Sequence, residues 1–256
     1  MKGSIPLIQI KSQREIALMR QAGRITALAR ELAGTLVRPG VTTGEIDREV
    51  RSFIESQGAT PSFLGYNGFS GSACISINEQ VIHGIPGVRK IEDGDIVSLD
   101  LGAHFNGYHG DCADTFATPG TSREDIDLIE VTRQSFYEGL KYARVGYRVS
   151  DISHAVENYV ISKGYSVVKD FVGHGVGQNL HEAPEIPNFG KPGRGPRLVA
   201  GMTIALEPMV NAGKEAITVL ADGWTVVTMD ASRSAHYENT ILITDGEPEI
   251  LTVTGE

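Results

Sequence analysis

Two stretches of the chain, VRPGVTTGEIDREVRSFIESQGA at 37–59 and ARVGYRVSDISHAVENYVISKGY at 143–165, align without a gap. Gly40 matches Gly146, Ile46 matches Ile152, Val50 matches Val156, Ile54 matches Val160 and Gly58 matches Gly164. The matched apolar positions recur at three- or four-residue steps and a glycine closes each copy, so each reads as an amphipathic helix. Thr42 with Glu45 supplies a capping box for the first, and Ser150 or Asp151 a cap for the second. A further helical segment precedes each copy, opened by Ser12 with Glu15 and by Ser122 with Asp125. Strand-like text follows each: GDIVSLDLGAHFNGYHGDCADTFAT in one half, GMTIALEPMVN and WTVVTMDASRSAHYENTILIT in the other. A unit used twice predicts one α+β domain over residues 1–256, with halves of about 1–120 and 121–256 related by a pseudo-two-fold axis. Its helices would cover one face of a curved antiparallel sheet, leaving the other face to form a site.

Composition narrows what that site serves. Hydrophobic residues make up 41% and charged residues 21%, which excludes a disordered or fibrous chain. The start, MKGSIPLIQIKSQRE, has no long apolar core and no small-residue cleavage site, and no other stretch reads as a membrane span; a cytoplasmic protein is expected. Cys74 and Cys112 are the only cysteines, too few for a disulfide framework or paired CxxC motifs, and both read as reduced packing residues. A net charge of -9 argues against a basic surface for nucleic acid or anionic lipid.

The acids are placed unevenly. GDIVSLD and GMTIALE occupy equivalent positions in the two halves and end in Asp100 and Glu207, and a later strand in each half adds Asp111 and Glu238. Repeat symmetry would gather all four. Clustered carboxylates in a dry pocket must be protonated or hold cations, and two divalent ions about 3.5 to 4 Å apart would balance four of them. Oxygen-rich ligation with one nitrogen suits Mn, Fe, Co or Zn. Glu92, Asp93, Asp95, Asp114, His104, His109, His154 and His236 are available too, with His109 and His236 two residues before Asp111 and Glu238, placed for a supporting contact. In FVGHGVGQNLHEAP, His174 and His181 sit seven apart among glycines, so the two rings share a pocket only if the chain turns between them.

HGIPG at His83, SLDLGAHFNGYHGD, GHGVGQNLHE, ALEP and HYENT, in this order and spacing, resemble the type I methionine aminopeptidases over essentially the whole chain. The resemblance implies the pita-bread fold and removal of the initiator methionine from nascent polypeptides when the second residue is small. It implies two divalent ions held by Asp100, Asp111, His174, Glu207 and Glu238, with Asp111 and Glu238 bridging and Glu207 also moving protons. His83 and His181 would face the substrate without binding metal. Tyr66, Phe69, Cys74, Leu180 and Trp224 would form the methionine pocket, with Phe63 at its edge. The short segment before the first helix, with no zinc-finger extension and no type II insertion, implies a minimal bacterial-style enzyme, expected as a monomer; docking on the ribosome is left open. Two other readings compete: a prolidase or Xaa-Pro aminopeptidase, which normally carries an extra N-terminal domain, and a non-catalytic pita-bread binding module, which would have lost metal ligands.

Overall fold

The computed structural model describes residues 7–255; the opening six residues of the stretch read above for a targeting signal lie outside them. Four helices form where the sequence patterns predict them: α1 (Gln13–Thr35), α2 (Thr43–Ser56), α3 (Arg123–Leu140) and α4 (Val149–Ser162). Ser12 and Glu15 cap α1 reciprocally, Ser12 N donating to Glu15 Oε2 at 2.7 Å and Glu15 N to Ser12 Oγ at 3.4 Å. Thr42 and Glu45 do the same for α2 at 2.7 and 3.2 Å. Each box satisfies two of the four N–H groups a helix start leaves orphaned. Ser122 Oγ accepts from Asp125 N at 3.1 Å and starts α3.

The cap of α4 differs from the expectation. It is neither Ser150 nor Asp151 but Arg148, the repeat partner of Thr42. Asp151 occupies the acid position instead and accepts the Arg148 N–H at 2.8 Å, while Ser150 Oγ bonds the backbone of Arg194 in both directions, at 2.9 and 2.6 Å. Arginine has no acceptor, so half of the box is missing. The closing glycines behave as read: Gly58 and Gly164 take φ of 72° and 85°, a conformation that lets each helix stop abruptly.

Nine strands make one antiparallel sheet. Its spine runs Thr60–Pro61, Ile96–Phe105, Tyr108–Ala117, Glu238–Leu242, Thr203–Leu206, Gly173–Gly175 and Glu182–Ile186; Ala73–Ile77 also pairs with Ile96–Phe105, and Glu249–Ile250 with Glu238–Leu242. The halves join where Glu238 faces Ala113 and Asn239 faces Cys112. Alternation then sorts the side chains. Val97, Leu99, Leu101 and Ala103 pack with Ile46, Val50 and Ile54 of α2 and Ile25, Ala29 and Ala33 of α1. In the second half Ile204, Leu206, Ile241 and Ile243 pack with Leu128 and Phe136 of α3 and Ile152, Val156 and Val160 of α4. The aligned residues of the repeat are therefore the two cores, each fully buried aliphatic contributing about 1.5–3 kcal/mol. All four helices lie on this face, and Asp100 and Asp111, of opposite parity to Leu99, Leu101 and Cys112, point to the other.

Contact between α1 and the sheet is close. A Cβ on Gly110 would come within 2.7 Å of Gly23 Cα and N, so helix and strand touch backbone to backbone one residue before Asp111. Among the described residues no helix is long and apolar enough to cross a membrane.

Candidate functional site

Three short interruptions in the second half build the open face. The strand Thr203–Leu206 stops before Glu207 because Pro208 has no N–H to donate to the ladder. Asp100, by contrast, stands in the middle of a ten-residue strand rather than at its end, as the sequence had suggested. The last long strand also breaks: Ser234–His236 belongs to a separate three-stranded sheet, and Tyr237 separates it from Glu238–Leu242. FVGHGVGQNLHEAP turns back on itself, with Gly173 opposite Ile186 and Gly175 opposite Glu182. Its glycines serve approach more than turning: a Cβ at Gly173 would collide with Ala205 O and one at Gly175 with Ala183 O. The turn brings the rings of His174 and His181 to 4.1 Å.

A cavity of about 450 Å³ opens on this face. Asp100, Asp111, His174, Glu207 and Glu238 all line it. Asp111, His174 and Glu238 offer ligand atoms that lie within 4.8 Å of one another. His174 Nε2 is 3.9 Å from Asp111 Oδ2 and 3.5 Å from Glu207 Oε1. Asp100 Oδ1, Asp111 Oδ1 and Glu238 Oε1 are buried and accept no hydrogen bond among the described residues. Such orphans are costly unless protonated or bound to a cation. Burial pushes the Asp100 carboxyl up to about 8, burial plus the neighbouring acids pushes Asp111 and Glu238 well above the usual carboxylate range, and burial, then Asp100, does the same to Glu207. His174 is held down to about 3 by burial, hence neutral, and its Nδ1 lies 2.9 Å from Gly175 O. Nδ1–H donates to this carbonyl, which leaves the Nε2 lone pair facing the acids, the arrangement of a metal-ligating imidazole. The donor set fits divalent cations on this observation alone.

At the other end the wall is apolar. Phe63, Phe69, Cys74 and Leu180 form a buried cluster with Tyr66, Ile85 and Trp224 against it, and Phe69 meets Trp224 edge-on at 5.1 Å. Cys74 faces inward because it is the register partner of Asp100. His83 adopts a left-handed φ of 59°, a strained conformation for a non-glycine residue, and sets its ring against Phe171 at 5.6 Å and Trp224 at 6.2 Å. Burial lowers its pKa to about 4. His181 sits at the mouth, Nδ1 2.7 Å from the Tyr66 hydroxyl.

The remaining acids and histidines are elsewhere. Asp95 accepts from Asn78 Nδ2 and Glu92 N, both Asp114 oxygens accept from Arg133 Nη2 at 3.0 and 3.2 Å on the helix side, and His154 lies 3.1 Å from Gly190 O. His109 meets Ser62 Oγ at 2.8 Å rather than Asp111, and His236 stands behind Glu207 with Nε2 4.0 Å from Oε2. Sequence reasoning missed Asn67, Ile82, Asp170, Phe171 and Val172, which also line the cavity. Asp170, Phe171 and Val172 precede His174 directly, so their proximity was readable; Ile82, beside His83, was readable in the same way. The Tyr66–His181 contact spans 115 residues and had no sequence signal.

The profile of metallopeptidase family M24 matches residues 17–245. Methionine aminopeptidase 1 of Bacillus subtilis is 53% identical over 96% of this chain and 99% of its own length. The solved methionine aminopeptidase of Thermotoga maritima superposes with a TM-score of 0.95 at 42% identity, over 96% of this chain and 99% of that one. The prolidase of Pyrococcus furiosus superposes with a TM-score of 0.79 at 24% identity over 96% of this chain and 66% of its own, a likeness of fold alone. The pita-bread architecture that the family resemblance implied, consistent with the repeat, is common to these structures. Matched along nearly all of its length by profile and relatives alike, the chain belongs to metallopeptidase family M24.

Proposed function

We propose that this chain is a methionine aminopeptidase, which hydrolyses the first peptide bond of nascent polypeptides and releases the initiator methionine when the second residue is small. The observation that carries the reading is the adjacency of two chemistries in one cavity: buried unpartnered carboxylates with a neutral His174, beside an apolar wall containing Cys74 and Trp224. The strong likeness to proteins named methionine aminopeptidase supports it.

Asp100, Asp111, His174, Glu207 and Glu238 would hold two divalent ions, of Co, Mn, Fe or Zn. Such ions polarise a carbonyl and lower the pKa of water to about 7 on zinc. Glu207, freed from the ladder by Pro208, accepts the proton of the attacking water and passes it to the leaving amine. His181 Nδ1 lies 2.7 Å from the Tyr66 hydroxyl; with that hydroxyl donating, the ring proton would reside on Nε2 and donate to the substrate carbonyl oxygen as negative charge develops. His83 contacts the amide nitrogen of the second residue. Phe69, Cys74, Leu180, Trp224 and the ring of Tyr66, with Phe63 at the edge, enclose the methionine side chain. The two halves act as one catalytic domain, since ligands from both meet across the central strand pair. We place the enzyme in the cytoplasm as a monomer, where nascent chains present their N-termini.

Assay of Met-Ala-Ser against Xaa-Pro peptides tests the reading. Rapid release of methionine from the first is expected; cleavage confined to Xaa-Pro, or a purified chain unable to take up Mn, Fe or Co, would overturn it.

A further inference from the structure

The hairpin that carries Asp100 and Asp111 carries two more histidines nearer its tip, and neither lines the cavity. His104 and His109 are register partners. The His109 N–H points away from His104 and donates to Gly177 O at 2.9 Å. The pair is therefore of the non-hydrogen-bonded kind, in which Cα atoms lie about 4.5 Å apart and side chains stand closest. The rings agree, with centroids 4.4 Å apart and 34° between their planes. Both project from the face of Asp100 and Asp111, His104 four residues after the first and His109 two before the second. His109 Nδ1 is engaged by Ser62 Oγ, which leaves Nε2 free, and the His104 ring has no hydrogen-bond partner among the described residues. Both are half-buried, so solvent reaches them.

We propose that His104 and His109 form a second transition-metal site at the rim of the cleft, taking Zn²⁺, Ni²⁺ or Cu²⁺ through one nitrogen of each ring, with water completing the shell. Paired imidazoles select these ions over Mg²⁺ and Ca²⁺, which prefer oxygen. The site is separate from the acidic centre, because His109 and Asp111 are two residues, about 7 Å, apart along the strand. With two protein ligands and no carboxylate it binds more weakly than the acidic centre and fills after it.

Titration of the full-length protein with Cu²⁺, followed by calorimetry and by electron paramagnetic resonance, tests this. Wild type is expected to take up one equivalent more than His104→Ala, in a step at least tenfold weaker than the tight one and with nitrogen hyperfine structure from imidazole. His104→Gln, a second variant, should lose the same step. Turnover of Met-Ala-Ser shows that each variant is folded, since His104 lies outside the cavity. Equal stoichiometry in wild type and variants, or loss of the tight step in place of the weak one, would overturn the proposal.

Discussion

The first half of the molecule presents its acids on an unbroken hairpin of two ten-residue strands, whereas the second half presents them at breaks, Glu207 before Pro208 and Glu238 after Tyr237. Both halves use the same helix pair and the same apolar positions. A continuous ladder pairs Asp100 with Cys74 on one side and Ala113 on the other, and Asp111 with Gly102, while the Thr240 hydroxyl bonds the Asp111 backbone on its second edge. Glu207, just past the end of its strand, lacks that two-sided support, which suits the proton-carrying role proposed for it. Beside the shorter strands of the second half stand the strand bearing His174 and the loops bearing His181 and Trp224. The first half thus supplies rigidity and the second supplies chemistry.

Metal removal should erase the distinction most completely. Turnover is expected to vanish, and the stability of the metal-free protein should fall as pH rises. The sign follows from the raised carboxyls: Asp100, ordinarily near 4, is pushed up to about 8, so the folded state binds more protons than the unfolded chain between those values. Stabilisation is full below about pH 4 and lost towards pH 8. Thermal unfolding of metal-free and loaded protein from pH 5 to 8 checks it; parallel curves would contradict the buried acidic cluster.

The next effect separates two histidines of one loop. His174→Ala should weaken metal uptake together with turnover, and His181→Ala should lower kcat by about 10²–10³ with metal content intact, as loss of an oxyanion donor does. Metal analysis beside steady-state kinetics decides, and equal metal loss in both would remove the division of labour.

Packing of helices on the sheet offers a sharper contrast between halves. Gly110→Ala meets the backbone of Gly23 at 2.7 Å and should cost about 1–3 kcal/mol. Gly139→Ala in α3 meets only side chains, Val156 Cγ2 at 2.8 Å and Ile152 Cγ2 at 3.2 Å, and gains about 1 kcal/mol of helix propensity, so its net effect should stay within about 1 kcal/mol. Denaturant titration ranks the two. The smallest difference concerns the caps: Thr42→Ala should cost about 1 kcal/mol, and Arg148→Ala, at the matching position, close to nothing, because the Arg148 side chain caps no helix N–H.

The repeat made the fold readable because it reports burial directly. Ile46, Val50, Ile54 and their partners Ile152, Val156 and Val160 are all fully buried. The acids were readable for a related reason, since a carboxylate in an otherwise apolar strand has no packing role. Capping of α4 was misread because Ser150 and Asp151 are both good capping residues and only the loop at Arg194 decides which role each takes. Strand breaks at Pro208 and Tyr237 were hidden by continuous β-type text. Contacts such as Asn188 Nδ2 to Glu207 O, at 2.9 Å, depend on tertiary placement that local pattern does not encode.

The bond between Tyr66 and His181 joins two tasks that a substrate presents separately. In the proposed assignment Tyr66 stands on the wall that would surround the first side chain, and His181 would attend to the bond being cut. A side chain that displaces the Tyr66 ring also disturbs the imidazole it holds. An ill-fitting first residue is then penalised in turnover as well as in affinity, so discrimination between methionine and its near isosteres resides partly in kcat.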